Sequence, residues 1–359
     1  MIERVATKTK TMDPSTTKSV SVQEGGSSRP PVSTAVSVAG KAGNSPDASS
    51  QPNHKAKLGG LPVVLSEAKM LLNQSSVIGT SLLPATLAYE ISRRIGRMRY
   101  QRRRGSSREL TNEIKLALGL SEQQAEKWVE RVYELAAWRD IELWRAPRLN
   151  DAQMQKLVEF RGLEHLKNAL ARGKGAILCT GHLRSLITFF VALSRKGYKI
   201  NAVRRSALKV QGPVGRWLVK QRTLVGNANM NFFWMNSSNL KAAVQVGNAL
   251  RRNEIVVFLI DVRYGAETVP VNFLGEEKQF PSGHILMSQA TGAPLLDFYM
   301  YHPDESFRQV AEFNEPFYPT NDLVAGVQRT FSSLESKVRE YPADWMWFPE
   351  RELWKNPNG

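Results

Sequence analysis

The stretch 175–190, "GAILCTGHLRSLITFF", decides how the chain is read. Its run "AILCT" is apolar, short and preceded by a glycine, which suits a strand buried on both faces. Residues 184–196 then carry apolar side chains at helical spacing. The passage is therefore a strand, a loop holding His182, and a helix.

Downstream the same alternation repeats. "YKINAV" (198–203), "NFFWM" (231–235), "EIVVFLI" (254–260) and "PLLDFYMY" (294–301) are further short apolar runs. Amphipathic stretches lie among them at 213–224, 238–252 and 282–291, and a last helix is predicted at 322–341. Strands alternating with helices predict an α/β domain over 151–359, with a largely parallel central sheet flanked by helices. Residues 58–150 read as helical, and "SEQQAEKWVERVYELAAWRDIELW" opens with a Ser-x-x-Gln capping box at Ser121. Residues 1–57 are rich in Ser, Thr, Pro, Gly and Lys and poor in large apolar groups, so they are expected to be a disordered leader.

Charge narrows the partners. The chain carries 49 Lys+Arg against 33 Asp+Glu, a net charge of +16. From His165 through Asn253 there are 16 basic residues and no acid, so the excess is concentrated. Between Arg93 and Arg108 there are eight arginines and again no acid. Such a field suits a polyanionic partner: a carrier protein, an anionic lipid headgroup or RNA. The alternative is a set of scattered, solvated side chains. The single Cys179 excludes a disulfide framework and a cysteine-based metal cluster, and nothing in the sequence calls for a cofactor.

Met70–Tyr89 runs 20 residues without a charge, the length of a membrane span. Asn73, Gln74, Pro84 and several hydroxyl residues make it polar for insertion. With the arginines following it, the segment is expected to lie along an anionic membrane surface; a soluble helix and a true span are the alternatives. That placement predicts a cytoplasmic protein, peripheral on the cytoplasmic face of the inner membrane.

In α/β domains reactive groups gather at the carboxyl ends of strands. Three such ends bear chemistry: "CTGHLRS" with His182 and Arg184, "AVRRS" with Arg204 and Arg205, and "LIDVRYG" with Asp261 and Tyr264. A histidine near a carboxylate makes a general base, and guanidiniums hold or polarise anionic groups. Each also has an ordinary structural reading: a lone His after a strand, an Asp capping a loop, two solvated arginines.

Several passages resemble one family. "GKGAILCTGHLRSL", "NLKAAVQVGNALRRNEIVVFLIDVRYG", "VPVNFLGEEKQFPSGHILMSQATGAPLL" and "YPADWMWFPERELW" occur in the order, and with much of the wording, of the late lipid A acyltransferases. These belong to the broader lysophospholipid acyltransferase superfamily, and the resemblance covers residues from about 85 to 354. It implies acyl transfer from a thioester of acyl carrier protein or coenzyme A to a hydroxyl. It also implies His182 as the base, Arg204 and Arg351 as matching basic residues, and Asp261 as the acid of the turn after a later strand.

One position departs from the family. In its His-x4-Asp/Glu motif the acid falls at Ile187, which can neither carry charge nor accept a hydrogen bond. Three readings follow. Asp261 supplies the carboxylate; or the acceptor is an amine or hydroxylamine needing less base assistance; or the fold persists as a binding protein. An aminoacyl-tRNA is the alternative donor, since it would use the same basic field, with Trp217, Phe232, Phe233 and Trp234 as stacking groups or as core. The oligomeric state is not readable.

Overall fold

The computed structural model describes residues 60–103, 105, 107–183, 186–205, 230–235, 239–262, 267–346 and 348. The leader, the amphipathic stretch 213–224, Arg184, Trp217, Tyr264 and Arg351 lie outside the described residues. So do the side chains of Arg204, Arg205, Phe232, Phe233 and Trp234.

The helical part begins with α1 (Gly60–Ser81) and α2 (Ala85–Arg102), which meet at Pro84. Proline fixes its own φ and biases the preceding residue away from helix, so the uncharged stretch is cut in two there. No helix among the described residues is long and apolar enough to cross a membrane. The guanidinium of Arg145 donates to the carbonyl oxygens of Ser81 and Leu83, satisfying acceptors that the break leaves open.

After α3 (Arg108–Leu118) comes α4 (Glu122–Arg145), the long helix of this part. The capping box at Ser121 is present: the hydroxyl of Ser121 accepts from the N–H of Gln124, whose side chain accepts from the N–H of Ser121. Such a cap stabilises a helix by about 1 kcal/mol. Part of the arginine cluster is engaged within the chain while staying partly exposed. Arg97 pairs with Glu134, Arg99 with Asp140, and Arg93 donates to the carbonyl of Glu305.

A short helix α5 (Asp151–Leu157), strand β1 (Val158–Arg161) and helix α6 (Leu163–Leu170) lead into the sheet. The remaining strands are β2 (Ala176–Thr180), β3 (Ile200–Arg205), β4 (Met230–Met235), β5 (Ile255–Leu259), β8 (Leu295–Tyr301) and β9 (Gln309–Phe313). They form one seven-stranded sheet in the order β1-β9-β8-β2-β5-β3-β4. Every neighbouring pair is parallel except β8 with β9. The sheet is flanked by helices, among them α7 (Leu186–Arg195), α8 (Asn239–Arg251) and α9 (Gly283–Thr291), as the alternation predicts.

Between β5 and α9 a hairpin of β6 (Thr268–Phe273) and β7 (Glu276–Pro281) stands apart from the sheet. Its two-residue turn, Leu274 and Gly275, has φ of 53° and 79°. Positive φ at both positions is the twist that matches two antiparallel strands. Helix α10 (Leu323–Glu340) holds the hairpin edge: Gln328 accepts from the N–H of Asn272 and donates to its carbonyl. Phe273 and Phe280 then pack on Phe331 of the same helix.

Candidate active site

Sheet register brings the site together. Strands β2 and β5 pair in parallel with Ala176 opposite Ile255 and Thr180 opposite Leu259. Carried two residues beyond the strands, that register sets His182 beside Asp261, although 79 residues separate them. The N–H of Ile260 donates to the carbonyl of Thr180 and extends the ladder past the last strand residue.

Asp261 is fully buried, and both of its oxygens are engaged. Oδ1 lies 2.6 Å from Nδ1 of His182. Oδ2 accepts the main-chain N–H of His182 at 2.7 Å and the indole N–H of Trp345 at 2.9 Å. A buried carboxylate without donors would be costly, so these bonds are what allow it there. Because a carboxylate only accepts, the imidazole proton sits on Nδ1, and Nε2 becomes the basic nitrogen. The His182 side chain keeps 19% of its surface exposed, so it is not sealed inside the core.

The residue before the histidine is closely packed. A Cβ on Gly181 would stand 3.0 Å from Oδ2 of Asp261 and 2.8 Å from a methyl of Leu334. On the other side, the C-terminal segment grips the loop. Helix α10 runs into a 3-10 turn, Pro342–Asp344, after which Trp345 bridges to Leu183 and the N–H of Met346 donates to the carbonyl of His182 at 3.0 Å. The Trp345 ring is buried edge-on against Phe273 of the hairpin and Phe348.

Of the residues singled out in the sequence, His182 and Asp261 meet. Arg204 and Arg205 are the last two residues of β3, the strand on the far side of β5, so their backbone ends at the same edge of the sheet. Ile187 sits in the first turn of α7, half buried and packed against the core. Sequence reading did not assign Trp345, although it lies in the quoted tail. Nor did it single out Gly181, His302 or Asp344. Only the Gly-His dipeptide at a strand end carried a local signal.

The family described as bacterial lipid A biosynthesis acyltransferase matches residues 65–356. The chain is 22% identical over 230 residues to a lipid A biosynthesis acyltransferase of Haemophilus influenzae, covering 63% of this chain and 69% of that one. It is 24% identical over 216 residues to a phosphatidylinositol mannoside acyltransferase of Mycobacterium tuberculosis, covering 58% of this chain and 64% of that one, just under two thirds of its length. Against a lipid A biosynthesis lauroyltransferase of Escherichia coli it is 22% identical over 286 residues, 76% of this chain and 89% of that one. With a match running from residue 65 to 356, the chain belongs to the bacterial lipid A biosynthesis acyltransferase family and is an acyltransferase.

Proposed function

We propose that the chain moves an acyl group from a thioester, carried by acyl carrier protein or coenzyme A, to a hydroxyl or amine, with His182 as general base. The observation that carries this reading is the 2.6 Å contact between Nδ1 of His182 and the buried Asp261. It supports Nε2 as the proton acceptor, because the carboxylate fixes the tautomer and steadies the imidazolium that forms.

The acceptor's proton passes to Nε2 as its oxygen or nitrogen attacks the thioester carbonyl. When the tetrahedral adduct collapses, the C–S bond breaks and Nε2 returns the proton to the departing thiolate. His182 ends neutral, and no other reactant is consumed. Asp261 takes the place that the resemblance assigns to an acid at residue 187, reaching the imidazole from the neighbouring strand end instead of from the following helix.

The test follows thiol release and label transfer from radiolabelled lauroyl and myristoyl thioesters of coenzyme A and acyl carrier protein, with a bacterial lipid extract as acceptor. Wild-type protein should release thiol and label a lipid or amine product, and His182→Ala should do neither. Absence of turnover by the wild type with all four donors, or full turnover by His182→Ala, would sink the reading.

A further inference from the structure

The structure holds a second histidine–aspartate pair built like the first. Just past β8, Nδ1 of His302 lies 2.7 Å from Oδ1 of Asp344, and the His302 N–H donates to Oδ2 at 3.2 Å. Both pairs therefore use one carboxylate to accept a histidine's main-chain and ring N–H together. Their surroundings differ. The side chains of His302 and Asp344 are only 2% and 3% exposed, and Nε2 of His302 is buried with no hydrogen-bond partner. Trp138 of α4 lies against the ring, with centroids 5.4 Å apart. No substrate reaches that imidazole, so this pair is not a second reaction centre.

Its position in the chain suggests another use. Asp344 is the last residue of the 3-10 turn, and the next residue is Trp345, whose indole holds Asp261. Turn hydrogen bonds link the N–H of Asp344 to the carbonyl of Tyr341 and the N–H of Trp345 to that of Pro342. Fixing the Asp344 side chain on the end of β8 thus fixes the backbone that aims the indole. β8 in turn pairs with β2, the strand that leads to His182. The two pairs are tied to adjacent strands of one sheet and bridged by two consecutive residues.

We propose that Trp345 is a positioning residue for the His182–Asp261 pair, and that the buried His302–Asp344 pair anchors Trp345. The inference rests on His182 being the base, as argued above. Asp261 has to present Oδ1 to the imidazole, and its other oxygen is pinned by two donors, one of which comes from the turn that His302 secures. Loss of the indole N–H removes one of the two donors that hold Oδ2 and slackens the orientation of the carboxylate, and misplacement on the ångström scale costs roughly tenfold to a hundredfold in rate.

The experiment uses the full chain and the same four thioesters, comparing kcat, KM and thermal midpoint. Trp345→Phe keeps a ring against Phe273 and Phe348 and removes the donor together with part of the ring volume, a loss that the thermal midpoint registers. Its kcat should fall at least about tenfold, with KM within about twofold of wild type. Asp344→Ala should lose a similar factor, and the double variant should be no worse than the poorer single one, because both act through one contact. Asp344→Asn, which keeps an acceptor for the ring N–H, should recover part of the loss, and it carries the comparison if the alanine variant does not fold.

A Trp345→Phe protein with wild-type kcat overturns the positioning role, and losses that multiply in the double variant overturn the anchor. His182→Ala, assayed alongside, separates this inference from the one beneath it. Turnover by that variant removes the general base itself. An inactive His182→Ala beside a fully active Trp345→Phe removes the positioning claim alone.

Discussion

The indole nitrogen of Trp345 and the main-chain nitrogen of His182 converge on one oxygen of Asp261, at 2.9 and 2.7 Å. The other oxygen is thereby left to the imidazole. The carboxylate is oriented by a residue of the loop it serves and by one from the far end of the chain, and its geometry depends on both.

Replacing Asp261 by asparagine tests the carboxylate. An amide can accept from only one of the two His182 donors at a time, and its own NH2 would face an N–H. The expected result is a fall in kcat of roughly 10³ to 10⁴ with the fold retained, on the scale of orienter loss in other histidine-assisted transfers. Steady-state kinetics with circular dichroism would check it, and a loss below tenfold would contradict it.

Gly181→Ala tests the close approach. The new methyl would meet Leu334 and Oδ2 of Asp261 at or inside 3.0 Å, so the Leu334 side chain or the carboxylate must shift. Overpacking of this sort costs about 1–3 kcal/mol, and the share of the shift taken by Asp261 should lower activity as well as stability. Urea unfolding and turnover measured on one preparation would show both.

Two buried groups away from the site pull the pH dependence of stability in opposite directions. Burial lowers the imidazole of His284, whose Nε2 contacts Thr330, from 6.5 to about 3. The unfolded chain takes up that proton first, so stability is lost as pH falls through 6.5 toward 3. Asp297, on β8, is pushed by burial from 3.8 up to about 6, against the opposing pull of Ser333 and Arg329. Its contribution is fully present below 3.8 and lost as pH rises through 6. On acidification from 6.5 to 4.5 the two nearly offset each other. Asp297→Asn should therefore lose about 2 kcal/mol more than wild type over that interval, by urea unfolding at both ends. Equal losses in the two proteins would contradict the assignment.

Membrane contact is the reading for the first two helices. Leu71, Leu72, Leu82 and Leu87 are exposed, Leu72 at 74%, and arginines follow them along α2. Leu72→Glu with Leu82→Glu should weaken binding to phosphatidylglycerol-containing vesicles by roughly a hundredfold, since about 3 kcal/mol of apolar burial is lost. High salt should release the wild-type protein. Flotation unchanged by the double substitution would remove this segment from the contact.

Much of the sheet was legible because buried parallel strands are continuous apolar runs. β2 and β5 are of that kind, and β3, β4 and β8 keep enough apolar residues around Asn201, Asn231 and Asp297 to stand out. β1 and β9 were not legible: "VEFR" and "QVAEF" carry charged or polar residues, and the fully buried Gln309 breaks any apolar pattern. With β9 unseen, the antiparallel pairing beside β8 stayed hidden too. At the site, His182 and Asp261 stood out as strand-end residues, whereas their meeting depends on register, which no local spacing encodes. The His302–Asp344 and Trp345–Asp261 contacts span 42 and 84 residues, and neither leaves a motif.

Ribosomes deliver the chain from its N-terminus, and the pieces of this centre emerge in the order His182, Asp261, Trp345. The indole is translated 84 residues after the carboxylate it holds, behind the hairpin, α9, two more strands and α10. A nascent polypeptide thus displays an imidazole and its acid well before the clamp exists, and competence for turnover should arrive only when the closing tryptophan docks.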